Sequence, residues 1–120
     1  MNPATAILRF VRAPLVVTVW SHLLGGMMLT LWCPLPLWTG FTCVYLFGMA
    51  HNDWVDRERD KMLNPSRPLP SGALPVMAAR RILALLTLGV AFSFFVGVND
   101  PGIGAQAWWL PISFASALGY

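Results

Sequence analysis

The 120-residue chain is 57% hydrophobic and 11% charged, whereas about 25% of residues are charged in an ordinary soluble domain. Its apolar segments have almost no polar face, which excludes an ordinary water-exposed helical bundle and favours a membrane protein. The formal net charge of +3 does not indicate nucleic-acid binding, because the basic residues flank the apolar segments.

Two apolar segments precede the first acidic residue. No Asp, Glu, Lys or Arg occurs between Arg12 and Asp53, a stretch long enough for two membrane spans of about 20 residues each. We expect the first span over residues 14–32 and the second over residues 37–56. The turn between them, Cys33-Pro34-Leu35-Pro36, contains two prolines that prevent the helix from continuing. A cleaved signal peptide fits poorly, because the first apolar run is longer than a signal core and no small-residue cleavage site follows it.

The second half of the chain contains a loop and two further apolar segments. Residues 61–75 are rich in proline, and Pro75 is expected to begin a third helix over residues 76–98. Asn99-Asp100-Pro101-Gly102 predicts a turn, and a fourth apolar segment starts near Ala105. The predicted fold is therefore all-α, a multi-span transmembrane helical bundle with about three complete helices and part of a fourth in one domain, residues 1–120.

All the basic residues lie on one predicted side of the membrane. They are Arg9, Arg12, Arg57, Arg59, Lys61, Arg67, Arg80 and Arg81. The opposite connections, around residues 33–37 and 99–104, carry none. Because Lys and Arg are enriched in cytoplasmic loops, we expect a multi-pass membrane protein whose N-terminus and 57–81 loop are cytoplasmic.

The motif Asn52-Asp53-x-x-Asp56-x-x-x-Asp60 ends the second predicted span. At about 100° per residue, its four polar side chains share roughly a quarter of a helix circumference. Carboxylates gathered in this way repel each other unless a cation neutralises them, and Mg²⁺ takes oxygen ligands from one or two carboxylates together with substrate phosphates. The alternative is a solvated helix end at which Asp and Glu side chains pair with Arg57, Arg59 and Lys61.

The motif and the loop after it resemble the UbiA superfamily of intramembrane prenyltransferases. The resemblance covers Asn52 to Gly72, including the loop Asn64-Pro65-Ser66-Arg67-Pro68-Leu69-Pro70-Ser71-Gly72. The segment Arg12-Ala13-Pro14-Leu15 is also similar to the family's opening Arg-Pro-x-Asn region, although Leu15 or Val16 stands where an asparagine is expected.

The resemblance implies an all-helical membrane enzyme that moves a prenyl group from its diphosphate onto an acceptor. It implies that Asn52, Asp56 and Asp60 help to hold Mg²⁺ and that Asp53 binds the metal or positions a ligand. These four residues are the expected catalytic set. Arg12 and Arg67 are the candidates for binding the diphosphate, because a guanidinium forms bidentate bonds with phosphate oxygens. Their alternatives are a topology-setting flank for Arg12 and a structural cap over the loop for Arg67.

The expected reaction is transfer from a prenyl diphosphate to a small, aromatic or ring-containing lipophilic acceptor at the membrane. One alternative is phosphoribosyl-type transfer to a prenyl phosphate, and another is a non-catalytic membrane protein that binds lipid or ions. The acceptor, the prenyl chain length and the oligomeric state are left open by the sequence.

The acidic residues after residue 72 are too few for a second motif. Residues 73–120 contain one acid, Asp100, on the opposite predicted side. Members of the resembled family are about twice as long and carry a second Asp-rich motif on a later helix. We therefore expect the 120 residues to be the N-terminal part of such a domain and to be inactive alone, with a self-assembling half-enzyme as the alternative.

Overall fold

The structure, a computed structural model, describes residues 2–30 and 34–119, with the side chains of residues 29 and 30 left out. These residues form helices and turns without a strand, which confirms the all-α prediction. The α-helices are α1 Pro3–Phe10, α2 Val16–Thr30, α3 Leu35–Val55, α4 Arg57–Leu63, α5 Val76–Val98 and α6 Trp109–Leu118, and short 3₁₀ turns at Ala13–Leu15 and Gln106–Trp108 precede α2 and α6. The predicted turn at residues 33–36 begins outside the described residues.

Helix α1 was not predicted. Its N-cap is Asn2, whose side-chain oxygen accepts a hydrogen bond from the Ala4 amide at 2.9 Å, and Pro3 occupies the first helical position. Ala6 and Phe10 are buried against Ala50 of α3, together with residues of the 64–75 loop and α5. The N-terminal residues are therefore part of the core at this end of the molecule.

One described helix, α5, is by length and composition able to cross a membrane unaided. A second crossing is available if Pro3–Phe10 and Ala13–Met28, which meet at 47°, form one broken span. The bounds of α5 agree with the predicted third span. The multi-span arrangement stays a prediction. Large apolar side chains exposed along α5 include those of Leu85, Leu88, Phe92 and Phe95.

Helix α3 packs most extensively on α5 and next on α6. The approach to α6 depends on Gly40, because a Cβ atom there would lie 2.6 Å from a methyl carbon of Leu110. Leu110 is fully buried in a second core cluster that also includes Val44 and Val90. The Leu110 side chain of α6 therefore occupies the space beside Gly40, where α3 has no side chain.

The acidic motif lies where α3 passes into α4. The helix assignment is interrupted at Asp56 alone, and the backbone amides of Asp56 and Asp60 still bond the carbonyls four residues earlier. Spacing on an α-helix is consequently a fair guide across the motif. The loop that follows is folded on itself by bonds from Ser71 N to Arg67 O at 3.0 Å and from Leu74 N to Pro68 O at 2.9 Å.

Candidate active site

Arg67 joins two aspartates of the motif. Its Nη1 atom lies 2.5 Å from Asp60 Oδ2 and 3.3 Å from Asp53 Oδ1. Both carboxylate side chains are almost fully buried, whereas the Arg67 side chain is one-third exposed. The two acids are separated by seven residues, or about two helical turns, so they share a face of α3–α4. One cationic nitrogen thus lies between carboxylates from two successive helices.

Arg12 brings a second guanidinium to the same cluster from the opposite end of the sequence. Its Nη2 donates to Asp53 Oδ1 at 3.1 Å. The Arg12 backbone has φ +50°, a left-handed conformation that residues other than glycine seldom adopt. This conformation turns the chain between α1 and the 3₁₀ turn before α2. The residue at the turn is the one whose side chain pairs with Asp53.

The other two residues of the predicted catalytic set lie outside this cluster. Asp56 is exposed at the α3–α4 junction and makes no side-chain hydrogen bond or ion pair with the described residues. Asn52 is half-buried and lines an apolar groove with Tyr45, Gly48 and Ser116. Their predicted metal contacts stay predictions.

The pairing expected of a solvated helix end occurs at Glu58 but not at Asp53 or Asp60. Arg57 and Lys61 contact Glu58, at 3.6 Å and 2.8 Å, and leave Asp53 and Asp60 to other partners. The hydrogen bond from Lys61 and the charge of Lys61 lower the pKa of the Glu58 carboxyl, with a smaller contribution from Arg57. Glu58 is therefore locally compensated, and it faces away from the cluster.

A cleft of about 360 Å³ opens over the cluster. Its lining residues are Arg9, Arg12, Asp53, Ser66, Arg67 and Pro68. Arg9, in the last turn of α1, also lines this cleft, and the sequence analysis gave it no role at this site. The three guanidiniums outnumber the two buried carboxylates of the cluster, so the cleft is suited to an anion.

Beside the motif, two apolar grooves share residues and extend along α3. The first, of about 370 Å³, reaches Asn52. The second, of about 570 Å³, lies between α2, α3 and α6 and includes His22 and Phe41. Val44 and Tyr45 line both grooves, so the two are contiguous. An elongated apolar ligand could therefore lie along α3 with one end near the motif.

Most of the chain matches a model of a known protein family. The UbiA prenyltransferase family model matches residues 14–120. The chain belongs to the UbiA prenyltransferase family. This agrees with the resemblance drawn from the motif and the loop.

Curated relatives of this UbiA family member include lipid and pigment synthases. It is 33% identical over 119 residues to digeranylgeranylglyceryl phosphate synthase of Sulfolobus acidocaldarius, covering 94% of the chain and 43% of that protein. It is 42% identical over 59 residues to the Methanocaldococcus jannaschii enzyme of the same name, covering 48% of the chain and 20% of that protein. It is 26% identical over 123 residues to the bacteriochlorophyll synthase 33 kDa chain of Rhodobacter capsulatus, covering 78% of the chain and 39% of that protein.

The UbiA chain therefore spans less than half the length of the curated relatives it matches. No solved structure matches it. Membership of the family and the apolar length of α5 together support an integral membrane protein.

The family implies Mg²⁺, and the donor chemistry of this UbiA cluster fits it in part. No group of three or more His, Cys, Asp or Glu side chains positioned to hold a metal occurs among the described residues. Asp53 and Asp60 nevertheless direct carboxylate oxygens at one cationic nitrogen, and carboxylate oxygen is the ligand that Mg²⁺ prefers. Two carboxylate oxygens directed at one point are therefore the part of the donor set that fits Mg²⁺.

Sequence reasoning also missed one residue that holds the cluster. Asn64 Nδ2 donates to Asp60 Oδ1 at 3.1 Å. The two residues are four apart at the end of α4, and the i, i+4 spacing was the signal that could have identified the contact. Because Asn64 also ends α4, it positions Asp60 and begins the loop that carries Arg67.

Proposed function

We propose that this chain forms the prenyl-diphosphate site of a Mg²⁺-dependent membrane prenyltransferase. The observation that carries the proposal is the shared position of Arg67 between Asp53 and Asp60, with Arg12 on the same carboxylate. The cluster contains both the acids that would bind a divalent cation and the arginines that would bind a diphosphate. In the structure these charges pair with each other.

Binding of substrate is then an exchange of partners. Asp53 and Asp60, which contact Arg67, would hold the metal, and Arg12 and Arg67 would donate hydrogen bonds to the phosphate oxygens. Mg²⁺ supplies charge neutralisation for the diphosphate as it leaves. Breaking the prenyl C1–O bond leaves the electron pair on the diphosphate, so fixed guanidiniums beside its oxygens stabilise the charge that develops in the transition state. The acceptor atom bonds to C1 and loses its proton to the surroundings.

The contiguous grooves along α3 suit the prenyl chain of the donor. Their lining is mostly apolar, and one end approaches Asn52, one residue from Asp53 in the sequence. A prenyl tail in the grooves would direct its diphosphate towards the cleft and keep water from the reactive carbon. The proposed role of Asn52 and Asp56 is to complete the binding of the metal and diphosphate at this junction.

For the acceptor, the names of the relatives give two chemical classes, a glyceryl phosphate and a bacteriochlorophyll ring. Identity is higher to the synthases named for the glyceryl phosphate product. We therefore propose a small lipophilic acceptor from one of these two classes. The charge distribution supports a cleft that opens at the cytoplasmic face, with the N-terminus on the same side.

A binding experiment tests the proposal without requiring turnover. The chain is reconstituted in lipid nanodiscs, and its affinity for geranylgeranyl diphosphate is measured with Mg²⁺ and with EDTA. Asp60→Asn should reduce the Mg²⁺-dependent gain in affinity by about 100-fold, because a ligand to the cation is lost where charge interactions in a buried site are strong.

The matched control is Glu58→Gln, which removes a carboxylate on the same helix that pairs with Lys61 instead of Arg67. It should change the affinity less than about threefold, as surface ion pairs contribute little. Equal losses in the two variants would contradict the site, and so would binding of the diphosphate that is indifferent to Mg²⁺.

A further inference from the structure

Away from the cleft, two arginines from different helices contact one tryptophan. The guanidinium carbon of Arg57 lies 4.9 Å from the centre of the Trp54 ring, and that of Arg80 lies 5.5 Å from it. Arg57 is the first residue of α4, whereas Arg80 belongs to the second turn of α5. We call these three residues the arginine–tryptophan site.

The arginine–tryptophan site carries more positive charge than its surroundings neutralise. Arg80 forms no ion pair within the described part of the chain, and Arg57 meets one carboxylate, exposed Glu58, at 3.6 Å. That carboxylate is closer to Lys61, at 2.8 Å. Two cations held around one ring repel each other, and the ring face offsets this by about 1 kcal/mol for each exposed contact. An anion bound between them would remove the repulsion.

The donor atoms needed for an anion remain available. A guanidinium that lies over an aromatic ring keeps N–H groups at its edge. Arg57 commits Nη1 to the Trp54 carbonyl oxygen, at 3.0 Å, while Arg80 makes no hydrogen bond recorded among the described residues. The two side chains can therefore present several donors to a phosphate group at the edge of the indole.

The level of the site on α5 identifies the source of the phosphate. Arg80 and Arg81 are the last charged residues before the uncharged run of the crossing helix, which begins at Ile82. Tryptophan is enriched at the same membrane–water boundary. Met62 and Met77, close in sequence to the two arginines, expose more than half of their side chains, as a surface in contact with acyl chains would.

We propose that the arginine–tryptophan site binds the headgroup phosphate of an anionic phospholipid. The phosphate would lie against Arg57 and Arg80 at the edge of Trp54, and the acyl chains would follow the apolar surface of α5. This lipid would be bound as a structural partner that fixes α4 against α5. The proposal concerns a surface separate from the cleft and does not depend on transfer chemistry.

The test is native mass spectrometry of the detergent-solubilised chain with dioleoyl phosphatidylglycerol or dioleoyl phosphatidylcholine. The wild-type chain should retain the anionic lipid preferentially. The double variant Arg57→Gln/Arg80→Gln should weaken that binding about tenfold or more, since each basic residue near an anionic headgroup contributes roughly fivefold. The single variant Arg80→Gln leaves the Arg57–Trp54 carbonyl bond in place and should lose about fivefold.

The matched control is Arg59→Gln/Arg81→Gln, which removes the same charge from two exposed arginines that do not contact Trp54. It should weaken binding about twofold or less if the site is local. Equal losses in both double variants would overturn the proposal in favour of diffuse attraction. Absence of a preference for the anionic lipid would also overturn it, as would equally tight competition by soluble glycerol phosphate.

Discussion

Replacing Arg67 by glutamine should separate the binding of the cation from the binding of the diphosphate. The Arg67 guanidinium lies between Asp53 and Asp60, at the position proposed for a divalent cation. A cation that binds alone must displace the guanidinium and leave it near the metal. A cation that arrives with a diphosphate gives the guanidinium a new partner. The two ligands should therefore promote each other's binding.

The size of the effect follows from the two contacts of Arg67. Hydrogen bonds between charged groups contribute about 1.5–3 kcal/mol each. The Arg67 side chain is one-third exposed, so solvent screening favours the lower end of that range. Two contacts then amount to about 3 kcal/mol, which corresponds to roughly 100-fold in affinity. Arg67→Gln should strengthen the binding of Mg²⁺ alone by about 10- to 100-fold and largely abolish its coupling to the diphosphate.

The assay is isothermal titration calorimetry of the chain in nanodiscs. Mg²⁺ is titrated with and without geranylgeranyl diphosphate, and the ratio of the two dissociation constants measures the coupling. Arg12→Gln should show a smaller change in the same direction, because Arg12 contacts Asp53 alone. The control is Arg59→Gln, which removes an exposed arginine that forms no ion pair with the described residues.

Two results would refute the reasoning. Weaker binding of Mg²⁺ alone in Arg67→Gln, with the fold intact by circular dichroism, would mean that Arg67 organises the acids instead of competing with the cation. A change in Arg59→Gln as large as that in Arg67→Gln would mean that the general positive charge of this side of the protein, and not the specific contacts, controls cation binding.

Two further predictions concern packing and topology. Gly40→Ala should destabilise the fold by about 1–3 kcal/mol in a thermal-shift measurement, because the new Cβ overlaps the Leu110 side chain. The control Gly25→Ala places its methyl group in open space and should be neutral or slightly stabilising. In a background without native cysteines, Ser66→Cys should react with an impermeant thiol reagent only from the cytoplasmic side of intact cells and Gly102→Cys only from outside; external labelling of position 66 would contradict the charge-based orientation.

The elements that sequence reasoning predicted well are those with local signals at both ends. Helix α5 was expected over residues 76–98 and has those bounds, because Pro75 begins it and the Asn99-Asp100-Pro101 segment ends it. Helix α1 was missed although Asn2 and Pro3 are a good capping pair. Arg9 was interpreted as the flank of a span, whereas it lies in the last turn of this short helix.

The contacts of the site that are close in sequence could be predicted, whereas those between distant residues could not. The helical spacing of the acidic motif predicted that Asp53 and Asp60 share a face, and they do meet at Arg67. The approach of Arg12 to Asp53 joins residues 41 positions apart and depends on how α1 packs against α3, which no local pattern encodes. Asp56 falls on the same stripe of the helical wheel but is exposed at the α3–α4 junction, because a wheel gives directions around the axis and not which neighbours pack there.

The left-handed backbone of Arg12 has a consequence for anyone redesigning this chain. A side chain in that conformation costs about 1–3 kcal/mol, and glycine would avoid the strain. A sequence optimised only for folding would therefore replace the arginine and, with it, a guanidinium that bonds Asp53. Automated stabilisation that scores backbone preference residue by residue would select against the proposed activity here. Position 12 should be held constant in such a procedure, because its local preference and its long-range partner make opposite demands.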